Sequence, residues 1–323
     1  MLLQITVLCL LCLLLIYATS LIVRSIKTIA RSSRLGVYGI TAFILAISTS
    51  LPELIVSIIA SLEGNTSLVL GNIIGSNIAD LSLVIGGAAL LGGSLHITGI
   101  ILKRDIYLTG AAGFLPLFLI ADGTLSRADG VVLLVIYFIM VATFLRSHHA
   151  ALAKHVMSKS PIRRFLVTVT NLHGHNGILK FLFGVGLLIF SSHFIVRLAS
   201  TLAISTGLSP LFIGLFIVAV GTSLPELAFE LKAVSSGQAQ MALGDLLGSI
   251  VANSTLILAV AAIIRPLTLT HAGLFPYGIA ITAFALIYFT FTLFIKTKKK
   301  LDWWEGSILL LLYLVFALVE IAT

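Results

Sequence analysis

One motif occurs twice in this chain and decides its fold. The first copy contains Ala46-Ile47-Ser48-Thr49-Ser50-Leu51-Pro52-Glu53, followed by Leu70-Gly71-Asn72-Ile73-Ile74-Gly75-Ser76-Asn77-Ile78-Ala79-Asp80. The second copy contains Ala219-Val220-Gly221-Thr222-Ser223-Leu224-Pro225-Glu226, followed by Leu243-Gly244-Asp245-Leu246-Leu247-Gly248-Ser249-Ile250-Val251-Ala252-Asn253. The shift in numbering that takes Glu53 to Glu226 also takes Asp80 to Asn253, so the copies align without a gap. We call it the repeat shift. The chain therefore contains an internal duplication.

The composition indicates a membrane protein. Hydrophobic residues make up 59% of the chain, charged residues 10%, and the mean hydropathy is +1.16. Soluble domains contain about 25% charged residues. The net charge of +8 would suggest a nucleic-acid partner in a soluble protein. Here the basic residues gather in short loops between apolar runs, so no nucleic-acid partner is expected.

Ten apolar runs are long enough to be transmembrane helices, which need about 20 residues. They cover about 2–23, 35–61, 67–91, 105–121, 128–145, 178–200, 208–234, 240–264, 273–295 and 303–321.

Basic residues mark every second loop between these runs. They are Arg24, Lys27, Arg31 and Arg34 after the first run, Lys103 and Arg104 after the third, Arg146, Lys154, Lys159, Arg163 and Arg164 after the fifth, and Lys296, Lys298, Lys299 and Lys300 after the ninth. Cytoplasmic loops carry an excess of Lys and Arg. We therefore expect a multi-pass protein of the cell membrane with both termini outside.

An odd number of spans in each half inverts the second half relative to the first. The predicted fold is an all-α membrane protein with ten transmembrane helices arranged as two inverted five-helix repeats. The repeats are predicted over 1–146 and 178–323, with a basic cytoplasmic linker over 147–177. Inverted repeats with interrupted helices place a substrate site near the membrane midplane.

Glu53 and Glu226 lie within apolar runs, each directly after a proline. A carboxylate at membrane depth is costly and is therefore functional by default. Pro52 and Pro225 each leave the carbonyl four residues earlier without its helical hydrogen bond. Such carbonyls are tolerated at membrane depth where they line a cavity. Both glutamates are therefore predicted to face a cation pathway.

Oxygen-bearing side chains recur at helical spacing around these glutamates. Thr49 and Glu53 are four residues apart, as are Thr222 and Glu226, so each pair is predicted to share a helix face. Two further faces carry oxygen atoms by the same rule: Asn72, Ser76 and Asp80, and Asp245, Ser249 and Asn253. Ca²⁺ takes about 6–8 oxygen ligands. The four faces predict one oxygen-lined site for a hard cation, without the sulfur or imidazole that zinc and copper favour.

The glycines of the motif have a different predicted role. Gly71-x-x-x-Gly75 and Gly244-x-x-x-Gly248 match the spacing of small residues that lets helices approach closely in lipid. They are predicted to serve packing and not ion binding.

The pattern Thr-Ser-Leu-Pro-Glu followed by Gly-x-x-x-Gly-Ser resembles the alpha repeats of the cation/calcium exchanger superfamily, in particular those of prokaryotic sodium/calcium exchangers. The resemblance implies that Ca²⁺ and Na⁺ are the transported ions and that no cofactor takes part. It implies cation ligands from the carboxylates and amide of Glu53, Glu226, Asp80 and Asn253, the hydroxyls of Thr49, Thr222, Ser50, Ser223, Ser76 and Ser249, and carbonyls near Ala46 and Ala219.

The second copy departs from this pattern at three positions. Ile250 replaces the amide found as Asn77 in the first copy, and Asp245 replaces the amide of Asn72. Glu230 adds a carboxylate one turn after Glu226. Two interpretations of Glu230 remain open: a proton or second-cation site, or a group near the cytoplasmic end that meets water or Lys232. In the first copy, Ser48 stands where the pattern usually has glycine.

The predicted function is secondary active antiport of Ca²⁺ against Na⁺ by alternating access. A Ca²⁺/H⁺ exchanger or a K⁺-dependent Na⁺/Ca²⁺ exchanger on the same scaffold is the nearest alternative, and a passive cation channel is a weaker one. The chain has no HExxH, nucleophile-elbow or P-loop sequence, so no enzyme is expected. The lipid bilayer is the expected surrounding, and no protein partner is implied.

Overall fold

The protein is described by a computed structural model over residues 2–32, 49–96, 101–152, 175–269, 271–298 and 300–322. Helices make up most of these residues, because a helix satisfies its own backbone polar groups where water is absent. The α-helices are α1 Leu2–Ser32, α2 Leu51–Leu62, α3 Thr66–Ala79, α4 Ile85–Gly92, α5 Ile101–Leu119, α6 Arg127–Leu152, α7 His175–Thr206, α8 Pro210–Ile213, α9 Ala219–Thr222, α10 Leu224–Ser235, α11 Ala239–Val251, α12 Leu258–Ile264, α13 His271–Lys298 and α14 Trp303–Ala322. Three π-helical turns join some of them: π1 Asp80–Val84, π2 Gly214–Val218 and π3 Ala252–Ile257.

Six helical stretches of the described chain are long and apolar enough to cross a membrane. They are Thr66–Gly92, Arg127–Phe144, Leu182–Thr206, Ala239–Ile264, Leu274–Thr297 and Trp303–Ala322. Pro210–Thr222 and Leu224–Ser235 form a bent pair that counts as a seventh if it is one span. The chain is therefore a helical membrane protein, and the number of ten spans stays a prediction.

Each predicted apolar run overlaps a helix in the described residues. Much of the run 35–61 falls on residues 33–48, which lie outside them. The central linker lies mostly outside as well, over 153–174, while α6 and α7 extend into its two ends.

The distribution of side chains agrees with a lipid surrounding. Large apolar side chains face outward, among them Ile204 at 86% exposed and Phe118 at 76% exposed. Acidic and hydroxyl side chains of the duplicated motif are buried instead. This is the arrangement expected of a membrane protein, in which polar groups face the interior of the bundle.

The duplication is visible in the three-dimensional structure. The described parts of helices α1 and α7 cover positions that the repeat shift relates, and the two helices pack along each other. Helices α2 and α10 are each followed by a glycine with positive φ, Gly64 at 81° and Gly237 at 71°. The repeat shift relates these two glycines as well, and glycine adopts this conformation without a steric penalty.

Two short antiparallel ribbons accompany the helices and were not predicted from the sequence. Strand β1 (Leu95–His96) pairs with β4 (Lys300–Leu301), and β2 (Thr124–Leu125) pairs with β3 (Leu267–Thr268). Each strand is two residues long, too short to leave an alternating pattern in the sequence. Both ribbons join a loop of the first repeat to a loop of the second.

The packing role predicted for the first pair of glycines is confirmed. A Cβ atom on Gly71 would collide with the carbonyl oxygen of Leu211, and one on Gly75 would lie 2.7 Å from Ala219 Cβ. From the other side, a Cβ on Gly214 would lie 2.8 Å from the carbonyl oxygen of Leu68. Helix α3 therefore packs directly against the α8–π2–α9 segment. The same role for Gly244 and Gly248 stays a prediction.

We expect Gly75→Ala to destabilise the protein, because the added methyl group meets the backbone of Leu215 and cannot be accommodated by a rotamer change. Overpacking of this kind costs about 1–3 kcal/mol. Gly186→Ala is the matched control, since a Cβ there meets nothing within 4 Å. Thermal unfolding of the purified variants should show a lower Tm for Gly75→Ala only. Equal Tm values for the two variants would contradict the packing role.

Candidate functional site

The proline motif interrupts a helix in both copies. Helix α9 ends at Thr222 and α10 begins at Leu224, with a bend of 42° between the flanking segments. The residue between them, Ser223, has φ −83° and ψ 0°, and its equivalent Ser50 has φ −80° and ψ 7°. The following proline lacks the N–H that would continue the helix.

Because of this interruption, the predicted shared helix face of each threonine and glutamate pair is wrong. Thr222 and Glu226 lie on two helical segments and do not share the face of one continuous helix. Thr49 and Glu53 are separated in the same way by Ser50. The four-residue rule assumes an unbroken helix, and the prolines remove that condition.

Two crossed hydrogen bonds connect the repeats. Thr49 Oγ1 donates to Asp245 Oδ1 at 3.2 Å, and Thr222 Oγ1 donates to Asn72 Oδ1 at 3.4 Å. The repeat shift takes Thr49 to Thr222 and Asn72 to Asp245, so the two bonds are equivalent. The threonine of each proline motif therefore contacts the glycine-motif helix of the other repeat, which brings both motifs together.

Other predicted ligands lie at the same junction. Ser76 Oγ is 3.4 Å from Thr222 Oγ1, which is also 3.1 Å from the carbonyl oxygen of Ala219. That carbonyl also accepts the backbone N–H of Ser223 at 3.0 Å. Ala46, the equivalent of Ala219, lies outside the described residues.

Three predicted carboxylates are buried with unsatisfied oxygen atoms. Glu53 is 1% exposed, Asp80 2% and Glu226 2%. Both carboxylate oxygens of Glu53 lack a hydrogen-bond partner, as do Asp80 Oδ1 and Glu226 Oε2. The three groups interact electrostatically with one another. None of them forms an ion pair with a Lys, Arg or His in the described part of the chain.

Buried hydroxyl and amide oxygens complete the predicted set. The Oγ atoms of Ser50, Ser223 and Ser249 and the Oδ1 atom of Asn253 are buried without a hydrogen-bond partner. Buried polar atoms normally have partners, so these open oxygens need an explanation. A bound hard cation, which coordinates carboxylate, hydroxyl and amide oxygens together, supplies one.

The acidic residues alone do not form a chelating group. Over the described ranges, no three His, Cys, Asp or Glu side chains are placed so that they could hold a metal ion together. The site as described is therefore one of mixed oxygen types.

An amide chain beside the site was missed by the sequence analysis. Asn253 Nδ2 donates to Asn77 Oδ1 at 3.2 Å, and Asn77 Nδ2 donates to Ser254 Oγ at 2.8 Å. The chain joins the two repeats and fixes the amide of Asn253. One difference between the copies could have indicated this chain: Asn77 is an amide, whereas the equivalent residue of the second copy is Ile250.

The π-helical turns were also missed. Asp80 begins π1 and Asn253 lies in π3, so the turns occur at equivalent places in the two repeats. A π-helical turn inside an α-helix is frequently found at a functional site. No pattern of residue types predicts where one will form.

The burial of Glu230 decides between the two interpretations that the sequence left open. Its side chain is 0% exposed, whereas Lys232 is exposed and forms no ion pair with it in the described structure. The interpretation in which Glu230 meets water or Lys232 is therefore wrong. Glu230 follows Glu226 by four residues on the uninterrupted helix α10, so it faces inward as Glu226 does.

Comparison with known proteins identifies the family. The model of the family described as sodium/calcium exchanger protein matches residues 3–146 and 176–322. The chain belongs to this family. Sodium/calcium exchanger MaX1 of Methanosarcina acetivorans is 29% identical, with 92% of each chain covered. Inner membrane protein YrbG of Escherichia coli (strain K12) is 30% identical, over 79% of this chain and 78% of the relative.

Solved structures of the family have the same fold. The sodium-calcium exchanger NCX_Mj soaked with Na⁺ and Sr²⁺ matches with a TM-score of 0.68 and 27% sequence identity. The match covers 100% of this chain and 99% of that one. This member of the sodium/calcium exchanger family is therefore a cation/calcium exchanger by family and by fold.

Proposed function

We propose that this chain is a secondary active antiporter that exchanges Ca²⁺ for Na⁺ by alternating access. The observation that carries the proposal is the group of three buried carboxylates, Glu53, Asp80 and Glu226, which have open oxygen atoms and no basic partner among the described residues. Buried charges are normally paired or coordinate metal ions. A dehydrated Ca²⁺ would neutralise most of this charge, and two or more Na⁺ ions could replace it.

The ligand set we propose is the one implied by the resemblance. The charged members are Glu53, Glu226 and Asp80, with the amide of Asn253 opposite Asp80. The hydroxyls of Thr49, Thr222, Ser50, Ser223, Ser76 and Ser249 and carbonyls near Ala46 and Ala219 complete it. The crossed hydrogen bonds of the two threonines support this set, because they bring both motifs to one place.

The proposed architecture is ten transmembrane helices in two inverted five-helix repeats, over 1–146 and 178–323, joined by a cytoplasmic linker. The equivalent hydrogen bonds, π-helical turns and positive-φ glycines of the two repeats support it. A site between inverted repeats is exposed to either side when one repeat rocks against the other. The relatives named as sodium/calcium exchangers support Ca²⁺ and Na⁺ as the two ions. The proposal needs no cofactor and no catalysed reaction.

Calcium uptake into sodium-loaded membrane vesicles tests the proposed exchange. Uptake should require an outward sodium gradient at fixed pH, and should stop when K⁺ or choline replaces the internal Na⁺. Uptake driven by a pH gradient alone, or only when K⁺ is present as well, would favour the alternative exchangers. A channel would show calcium flux that neither saturates nor depends on internal Na⁺.

The proposed topology predicts that the two ends of the segment α11–π3–α12 lie on opposite sides of the membrane. Gln238 and Thr268 flank this segment, and both are exposed. In a background without Cys9 and Cys12, we expect Gln238→Cys to react with an impermeant thiol reagent from the cytoplasmic side and Thr268→Cys from the outside. Reaction of both cysteines from one side would require the spans to be redrawn.

A further inference from the structure

One polar pair has a different charge in the two repeats. In the first repeat, Asn72 Nδ2 donates a hydrogen bond to Ser57 Oγ at 3.3 Å, and both groups are neutral and buried. The repeat shift takes Ser57 to Glu230 and Asn72 to Asp245. A neutral donor–acceptor pair in one repeat therefore corresponds to two acidic side chains in the other.

The two acidic side chains are buried together. Glu230 and Asp245 are both 0% exposed, and they lie on α10 and α11, which pack against each other. Glu230 interacts electrostatically with Asp245 and, less strongly, with Asp80. Neither carboxylate oxygen of Glu230 has a hydrogen-bond partner, and no Lys, Arg or His in the described ranges forms an ion pair with it.

Such a pair is unfavourable without a bound cation when both groups are ionised. Two carboxylates in a low-dielectric interior repel each other, and each also loses the hydration that it has in water. Hydrogen bonding does not remove the repulsion here. Thr49 Oγ1 donates to Asp245, but the oxygens of Glu230 receive no such bond. Their open lone pairs are available to a positively charged ligand.

We propose that Glu230 and Asp245 bind a monovalent hard cation, Na⁺ in the proposed transport cycle, at a site beside the three buried carboxylates Glu53, Asp80 and Glu226. The pair offers fewer oxygen atoms than the about 6–8 that Ca²⁺ takes, even when the hydroxyl of Thr49 is included. The inference rests on the proposed function for the identity of the ion. It adds a cation position that the first repeat lacks, because Ser57 and Asn72 satisfy each other there.

The test replaces the acidic pair of the second repeat with the neutral pair found in the first. The double variant Glu230→Ser with Asp245→Asn reproduces the Ser57–Asn72 pair, so a hydrogen bond replaces the two charges. Binding of radioactive sodium to the purified full chain is measured at saturating Na⁺ without Ca²⁺. We expect the double variant to bind one Na⁺ fewer per chain than wild type and still to bind Ca²⁺. Glu320→Gln, which removes a buried carboxyl from α14, is the control and should leave the sodium count unchanged.

The outcomes separate this inference from the proposed function. An unchanged sodium count in the double variant overturns the inference, and so does the loss of one bound Ca²⁺ or one proton in place of a Na⁺. If the double variant does not fold, Glu230→Gln, which keeps the side-chain volume, is measured in the same way and must show the same loss. Wild-type protein that binds Na⁺ at the pair but shows no sodium-driven calcium uptake would contradict the proposed function and leave the inference in place.

Discussion

Glu53→Gln and Glu226→Gln should each reduce sodium-dependent calcium uptake to the level of vesicles without the protein. Glutamine keeps the shape and the hydrogen-bonding capacity of the side chain but removes a full negative charge. In the proposed site that charge would face a dehydrated dication, and both glutamates are nearly inaccessible to solvent. Electrostatic interactions are much stronger there than in water, so an amide dipole cannot replace the carboxylate.

The glutamate variants need a control in which a negative charge is removed outside the proposed site. Glu63→Gln provides it, since Glu63 follows the end of α2 and its Oε1 atom lies 3.5 Å from His193 Nδ1 and 3.7 Å from Arg197 Nε. Exposed ion pairs of this kind contribute about 0–1 kcal/mol, so uptake should be retained. Gel filtration and thermal unfolding show whether each variant is folded. Near-normal uptake by folded Glu53→Gln or Glu226→Gln would remove both residues from the proposed site.

Exchange of the side chains at positions 80 and 253 should restore activity that a single change removes. Asp80→Asn takes the proposed charged ligands Glu53, Glu226 and Asp80 from three carboxylates to two, and we expect a large loss of uptake. The double variant Asp80→Asn with Asn253→Asp returns to three carboxylates. If the site requires three charges around one centre, either repeat can supply the third, and much of the lost uptake should return.

A hydrogen bond of Asn253 is expected to limit this recovery of uptake. Asn253 Nδ2 donates to Asn77 Oδ1, so an aspartate at 253 requires the amide of Asn77 to rotate and donate instead. Recovery should therefore be incomplete. Uptake is measured for wild type, both single variants and the double variant, because non-additive recovery is expected only for residues that interact. A double variant no better than Asp80→Asn alone would show that the two positions are not interchangeable.

Much of the helical fold and the meeting of the two motifs could be predicted from the duplicated sequence. Oxygen atoms at helical spacing and prolines in apolar runs are properties of the local sequence. The contact between Thr49 and Asp245 also followed in outline, since the motifs were expected to converge. What the sequence could not provide is the register across the repeats, which depends on packing between residues 196 positions apart.

The missed features share a physical reason. The π-helical turns at Asp80 and in Ala252–Ile257 change the backbone hydrogen bonding without a change in residue type. The amide chain through Asn77 depends on a contact with Ser254 of the other repeat. Burial of Glu230 could have been inferred from its spacing to Glu226. The exposed Lys232 two residues later made the opposite inference equally reasonable.

The crossed contacts between the repeats have a consequence for the origin of the chain. Each threonine of a proline motif finds its acceptor in the other repeat, and each short β-ribbon takes one strand from either half. One repeat alone therefore contains half of every such pair. An ancestor with a single copy of the motif would have completed such pairs only as a homodimer. Two copies in one chain can differ at equivalent positions, as Ser57 and Glu230 do.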